Sequence, residues 1–125
     1  MTKQLKGKIY WVLDDFAYIG AVVPKKDQTS HTVARIDFAV IEEHMIKFYV
    51  CPHKSSDGQD WSYNVNLTIN DIGTQYNGIF TEATEPSYKG EVFSELFSNH
   101  KKFMLQGRWI ESDAIYTFWA IFDKE

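Results

Sequence analysis

Apolar and polar residues alternate along most of the chain with the period of two that is typical of β-strands. The clearest example is the segment 61–69, in which Trp, Tyr, Val, Leu and Ile occupy the odd positions and polar residues the even ones. Successive side chains of a strand point to opposite faces, so this pattern places five large apolar side chains on one side of a sheet. The segment is therefore predicted to be a strand with one core face and one water face.

The same pattern predicts several further strands. They cover the segments 9–13, 18–23, 34–40, 46–50, 103–109 and 115–122. Asp14-Asp15 is the predicted turn after the first of them, Pro24 ends the second, and Glu42-Glu43-His44 predicts a tight hairpin. The connections are short, which favours antiparallel pairing of consecutive strands.

Two segments allow more than one interpretation. Asn77-Gly78 could form a two-residue hairpin turn, or Gly78 could relieve crowding inside one longer strand of a curved sheet. The longer strand is favoured because the hairpin arms would be unusually short. The segment Val92–Phe97 has apolar residues at spacings that suit a helix nearly as well as a strand, and a strand is favoured.

Eight or nine strands without a clear helix indicate an all-β fold. Closure into an antiparallel up-and-down barrel of about eight strands would remove the exposed sheet edges, and a two-sheet β-sandwich is the alternative. The chain has 125 residues, of which 44% are apolar and 16% aromatic, enough to build one hydrophobic core but not two. We therefore expect a single domain over residues 1–125.

Two tryptophan-containing segments and the ladder of short strands resemble the calycin-type barrels, which include the lipocalin, fatty-acid-binding and avidin-like families. The segments are Gly7-Lys8-Ile9-Tyr10-Trp11 near the start, and Gly107-Arg108-Trp109 followed by Tyr116-Thr117-Phe118-Trp119 near the end. In those families an early Trp often packs under a basic residue from a late strand and closes one end of the barrel. The resemblance thus implies that Trp11 packs against Arg108.

Charge and cysteine content narrow the possible partners and compartments. The formal net charge is -4 and the chain has only two arginines, so nucleic acid is an unexpected partner. No signal peptide or membrane span is recognised in the sequence, and no membrane partner is expected. The single cysteine, Cys51, allows no disulfide within the chain, so we expect a cytoplasmic protein.

No residue pattern identifies a metal site, a cofactor or a catalytic centre. Cys51 and His53 alternate around Pro52 and could share one strand face, but two ligands do not make a zinc site. We expect no metal and no cofactor. An enzyme using groups at the barrel mouth, such as His53 with Asp37, is the third-ranked hypothesis, and a non-enzymatic role is favoured over it.

The leading hypothesis is a binding protein that holds a small amphipathic or aromatic molecule inside the barrel. Aromatic side chains with polar tips suit such a cavity, and an arginine could anchor the polar end of the ligand. The candidate ligand-binding residues are Trp61, Tyr63, Trp109, Tyr116, Phe118, Arg108 and Arg35.

A protein-interaction module with a filled barrel, of the inhibitor or immunity type, is the alternative. The last predicted strand is apolar on both faces, and the second face is too apolar to be left in water. That face is expected to form a homodimer. Its residues are Ile115, Thr117, Trp119 and Ile121.

Overall fold

The computed structural model describes residues 4–13, 32–54, 60–112 and 114–124. Eight antiparallel strands are the regular elements of these ranges. They are β1 (Leu5–Leu13), β2 (Thr32–Ile41), β3 (Met45–Lys54), β4 (Asp60–Ile69), β5 (Tyr76–Glu82), β6 (Lys89–Ser98), β7 (Lys102–Ile110) and β8 (Ile115–Asp123). The described ranges contain no helix long and apolar enough to cross a membrane.

The strands form a closed barrel in chain order. Each strand pairs with the next, and β8 pairs with β1 over eight residues of each strand, from Lys6 opposite Asp123 to Leu13 opposite Tyr116. This last pairing satisfies the backbone groups that would otherwise form two open edges. The predicted up-and-down barrel is thus confirmed, and the sandwich alternative does not occur.

Both ambiguous segments are strands. Asn77 and Gly78 lie within β5, and Val92–Phe97 lies within β6. The hairpin at Glu42–His44 is also confirmed, where the amide of Glu42 donates to the carbonyl of Met45 at 2.9 Å. The predictions for Asp14-Asp15, for Tyr18–Val23 and for Pro24 lie outside the described residues.

Gly78 is in β5 because the neighbouring strand passes too close for a side chain. A Cβ atom at this position would lie 1.9 Å from the carbonyl oxygen of Asn66 on β4. At Gly107 on β7, a Cβ would lie 1.8 Å from the carbonyl oxygen of Phe93 on β6. Glycine at such points lets a sheet bend sharply enough to close into a barrel of eight strands.

Side chains fill the interior of the barrel. Twelve large residues on the inward face are almost completely buried: Trp109, Phe80, Phe118, Phe122, Ile9, Ile36, Ile46, Leu67, Leu105, Val50, Val65 and Val92. An eight-stranded barrel is just wide enough for its own side chains.

The two ends of the barrel differ in chemistry. At one end, where β1, β3, β5 and β7 finish and the other four strands begin, the inward residues are mostly aromatic with polar atoms; we call this the aromatic end. At the opposite end the inward residues are mostly aliphatic or Phe, and the Tyr76 hydroxyl donates to the carbonyl of Glu43 at 2.8 Å.

Candidate functional site

Trp109 is the centre of a cluster of rings at the aromatic end. Its ring stacks on Phe80, with centroids 4.2 Å apart and planes 14° apart. Tyr63, Trp11 and Phe118 contact it edge-on, at centroid distances of 5.2, 5.4 and 5.9 Å. Such edge-to-face contacts are favoured by the ring quadrupoles. At this level of the barrel, rings from β1, β4, β5, β7 and β8 pack against one another across the interior.

The predicted ligand-binding aromatics therefore separate into two groups. Tyr63, Trp109 and Phe118 are buried, and the Trp109 ring contacts the other two, so these three rings form core rather than the walls of an open cavity. Trp61 and Tyr116 are half-buried and lie closer to the mouth of the barrel, where Trp61 packs on Tyr88 with centroids 5.3 Å apart. All five were predicted to face inward. Burial confirms this for Tyr63, Trp109 and Phe118, and Trp61 and Tyr116 pack against the core from the same side.

Glu111 supplies a carboxylate to the same end. Its side chain accepts hydrogen bonds from Trp109 Nε1 at 3.0 Å and from the Tyr88 hydroxyl at 2.5 Å. Burial, reinforced by the nearby charge of Glu111, raises the pKa of Tyr63 well above its ordinary value. The Tyr63 hydroxyl therefore stays protonated and can donate a hydrogen bond at any physiological pH.

Trp11 and His53 form a stacked pair beside this cluster. Their ring centroids are 5.0 Å apart and their planes 22° apart. Trp11 is 5% exposed, and its indole nitrogen has no hydrogen-bond partner among the described residues. A buried N–H without an acceptor costs about 1–3 kcal/mol, and such groups mark places where water or a ligand binds.

The tautomer of His53 follows from its one hydrogen bond. Nδ1 lies 3.1 Å from the carbonyl oxygen of Cys51, and since a carbonyl only accepts, Nδ1 carries the proton. Burial lowers the pKa of His53, and the bond to Cys51 opposes that shift only in part. The ring is therefore neutral at pH 7, and its Nε2 is a hydrogen-bond acceptor.

Glu82 organises the turn that carries Tyr88. This buried carboxylate accepts backbone N–H bonds from Ser62 at 3.0 Å, from Thr84 at 2.7 Å and from Glu85 at 2.9 Å. Burial by itself raises the pKa of Glu82, but the hydrogen bond from the Thr84 hydroxyl, together with these backbone bonds, outweighs it and the pKa is lowered. The amide of Glu82 also donates to the carbonyl of Tyr88, so the carboxylate helps to hold Tyr88 over Trp61.

The two predicted arginine anchors lie outside the barrel. Arg35 is exposed and forms a bidentate ion pair with Asp37, in which Nε donates to Oδ1 at 2.9 Å and Nη2 donates to Oδ2 at 3.1 Å. Arg108 is exposed as well and donates to the hydroxyl of Thr117. Neither guanidinium faces the interior, because each occupies the outward position between two inward residues of its strand.

Two pairings expected from the sequence are also absent. Trp11 lies inside the barrel and Arg108 outside, so the packing implied by the calycin resemblance does not form. Asp37 lies on the outer surface with Arg35, whereas His53 points toward the interior rings, so these two do not form a catalytic pair.

A β-bulge separates Cys51 from His53. Val50 pairs with Tyr63 and His53 with Trp61, so β3 has one residue more than β4 across this step. The extra residue turns His53 inward, while the Cys51 side chain interacts with the outward Arg35 and Asp37. The expectation that Cys51 and His53 share a face is thus wrong. Within the described ranges, no three His, Cys, Asp or Glu side chains are grouped as metal ligands.

The predicted dimer residues lie on the outer face of β8. Thr117, Trp119 and Ile121 are half-buried there, and Ile115 begins the strand. The ring of Trp119 stacks on Tyr10 of β1, with centroids 5.3 Å apart.

Tyr88 and Glu111 were not identified from the sequence. Both lie in connections between strands, where no alternation assigns a face. Both lie next to ends of strands that meet at one mouth of the barrel, and this location is the only feature that could have identified them as site residues. It can be recognised only when the order of the strands in the barrel is known. Comparison of the chain with protein-family models, with curated proteins and with solved structures finds no match.

Proposed function

We propose that the protein binds a small amphipathic or aromatic molecule at the aromatic end of the barrel. The observation that carries this proposal is the buried indole N–H of Trp11, which has no acceptor among the described residues. A ligand atom that accepts this hydrogen bond would remove the penalty of leaving it unpaired.

The surroundings of Trp11 favour a ligand with a flat apolar body. His53 and Tyr63 both pack against its ring, at centroid distances of 5.0 and 6.1 Å. Ligand sites are typically lined by apolar and aromatic groups with a few polar atoms that fix orientation. Here the polar atoms are Trp11 Nε1, His53 Nε2 and the Tyr63 hydroxyl. The packed rings beneath them confine the ligand to the end of the barrel rather than its middle.

The charge at this end determines which polar groups the ligand can carry. Both arginines project from the outer surface, and among the described residues the carboxylate of Glu111 is hydrogen-bonded to the cluster through Trp109 Nε1. An anionic ligand would be repelled by that carboxylate. The proposed ligand is therefore neutral or cationic, rather than the anion that an arginine anchor would select.

Fluorescence titration with 6-propionyl-2-(dimethylamino)naphthalene, a neutral aromatic probe whose ketone oxygen accepts hydrogen bonds, tests the proposal. We expect saturable binding that Trp11→Phe and Tyr63→Phe each weaken about tenfold, since both keep a ring but remove one donor. Trp119→Phe on the outer face is the matched control and leaves binding unchanged. Absence of saturable binding, or equal loss in all three variants, would refute the proposal.

A protein-interaction module is the second candidate, and the filled interior favours it. Trp109, Phe80 and Phe118 are fully buried, and Trp109 contacts both of the other rings, so packed side chains occupy the barrel at this level. Native mass spectrometry of the purified protein separates the two candidates. A small-molecule mass that is lost on denaturation supports the binding protein; its absence, together with failure of the probe to bind, favours the interaction module.

A further inference from the structure

The polar atoms around Trp11 comprise two hydrogen-bond donors and one acceptor. Trp11 Nε1 can only donate, and burial raises the pKa of Tyr63, so its hydroxyl keeps the proton that it donates. His53 Nε2 is the acceptor, because Nδ1 holds the ring proton against the carbonyl oxygen of Cys51 at 3.1 Å. A ligand that satisfies all three atoms must therefore carry a donor of its own as well as an acceptor.

The donor of Trp11 and the acceptor of His53 both lack a partner within the described part of the chain. The indole nitrogen of Trp11 is buried without an acceptor. His53 is half-buried, and its one hydrogen bond is made by Nδ1, so Nε2 receives no hydrogen bond there. A ligand that covers Nε2 without donating to it would remove its water and give nothing in return, which weakens binding.

Stacking places this donor and this acceptor in two neighbouring layers. The rings of Trp11 and His53 have centroids 5.0 Å apart and planes 22° apart, and the indole N–H and the imidazole lone pair both lie in the planes of their rings. Two hydrogen bonds of about 2.9 Å, joined by the distance of about 2.2 Å between the N and O atoms of an amide, span up to about 8 Å. An amide can thus meet each layer with a separate atom. A single hydroxyl oxygen would have to lie between the layers and bend both bonds, which weakens them.

Simple ions match only part of this arrangement. A primary ammonium group donates to His53 but accepts nothing from Trp11. A carboxylate accepts from Trp11 but has no proton for His53, and it is repelled by Glu111, whose carboxylate lies 3.0 Å from Trp109 Nε1. An amide is neutral and carries an N–H beside a C=O, so it supplies both the donor and the acceptor without a charge.

We propose that the molecule bound at the aromatic end is a neutral aromatic amide whose N–H and C=O lie on one edge, as in a lactam ring. This inference rests on the proposed function and names the ligand class of that site. The carbonyl oxygen has two lone pairs and accepts from Trp11 Nε1 and from the Tyr63 hydroxyl, while the ligand N–H donates to His53 Nε2. His53 is then the residue that selects an amide over a ketone of the same shape.

Two ligands that differ by one methyl group test the amide assignment. Isoquinolin-1-one has the N–H beside its C=O, and its N-methyl derivative lacks that donor; the affinity of each is measured by displacement of 6-propionyl-2-(dimethylamino)naphthalene. The wild type should bind isoquinolin-1-one about tenfold more tightly than the N-methyl derivative. His53→Phe keeps a ring beside Trp11 and should remove this preference, because isoquinolin-1-one weakens about tenfold while the N-methyl derivative and the probe keep their affinities. His100→Phe, in the exposed turn between β6 and β7, is the matched control and leaves the preference unchanged.

The ketone probe separates failure of the amide assignment from failure of the proposed function. The probe has no N–H, so its binding does not depend on His53, and its unchanged affinity for His53→Phe shows that this variant is folded. Equal affinities of the wild type for the two lactams while the probe binds would overturn the amide assignment and leave the binding function intact; this comparison needs no variant. A preference that persists in His53→Phe would also overturn it, because the methyl group would then act by its size. If neither the probe nor either lactam binds, both proposals fail.

Discussion

Glu82 offers a direct test of how the aromatic end is held together. The substitution Glu82→Gln keeps the size of the side chain but replaces one oxygen, an acceptor, with an NH₂ donor. The wild-type carboxylate accepts three backbone N–H bonds and two hydroxyl bonds while it is only 3% exposed. A glutamine can preserve the bonds to one oxygen only.

The expected loss follows from the bonds on each oxygen. The oxygen of the substituted glutamine can keep the bonds from Thr84 and Glu85. The NH₂ group of the same side chain then faces the amide N–H of Ser62, which donates to Glu82 at 3.0 Å in the wild type, so two donors meet and the Ser62 amide loses its acceptor. An unpaired buried N–H costs about 1–3 kcal/mol, and the bonds that persist lose the strength that the negative charge gave them. We expect the free energy of unfolding to fall by about 2–4 kcal/mol.

Urea unfolding followed by circular dichroism measures this loss. Ser62→Ala is the matched control, because it removes only the hydroxyl bond to Glu82 at 3.4 Å, and should cost less than about 1 kcal/mol. A loss below 1 kcal/mol for Glu82→Gln, or equal losses for both variants, would refute the role assigned to the carboxylate.

The pH dependence provides a second check on Glu82. Its pKa in the folded protein is lower than the ordinary value of 4.5, so the ionised form is favoured by folding. Its contribution is complete above pH 4.5 and is lost as the pH falls from there through the folded pKa. The stability difference between wild type and Glu82→Gln should therefore shrink in acid. A difference that is constant down to about pH 3 would show that the charge plays no part.

Three further predictions concern single residues. Burial lowers the pKa of His53 below 6.5, so the contribution of the neutral imidazole to the free energy of unfolding is complete above pH 6.5 and declines as the pH falls. In urea unfolding at several pH values, the free energy of unfolding should therefore fall less between pH 7 and acid in His53→Gln than in the wild type. In thermal melts, Gly78→Ala should lower the free energy of unfolding by more than about 3 kcal/mol, because the added Cβ would meet the carbonyl oxygen of Asn66. Gly73→Ala is the control: its Cβ would lie in open space at φ +76°, and the substitution should lower the free energy of unfolding by only about 1 kcal/mol. Tyr76→Phe should cost about 1 kcal/mol in urea unfolding, through loss of its bond to Glu43; no change would contradict that bond.

The strands and the inward positions of several aromatics were predictable because alternation is a local signal. The odd positions of residues 61–69 are on the inward side of β4, as predicted, and Trp109 and Phe118 are fully buried. Gly78 could be assigned to a strand interior because a hairpin that turns at Asn77-Gly78 would have unusually short arms. None of these inferences required knowledge of which distant residues meet.

The faces of Arg35, Cys51 and His53 were decided by tertiary structure. One extra residue in β3 reverses the direction of His53 relative to Cys51, and nothing in the local composition reveals that residue as a bulge. Whether Arg35 faced water or the interior depended on the register between β1, β2 and β3.

The sequence by itself determined a set of amphipathic strands, whereas the tertiary structure decided which chemistry they bring together. Trp11 meets Trp109 because β1 closes against β8, a pairing between the two ends of the chain that no short segment encodes. Tyr88 and Glu111 join them from connections at the same mouth. The physical reason is that alternation depends on neighbouring residues, while closure and register depend on backbone hydrogen bonds and packing across the whole barrel.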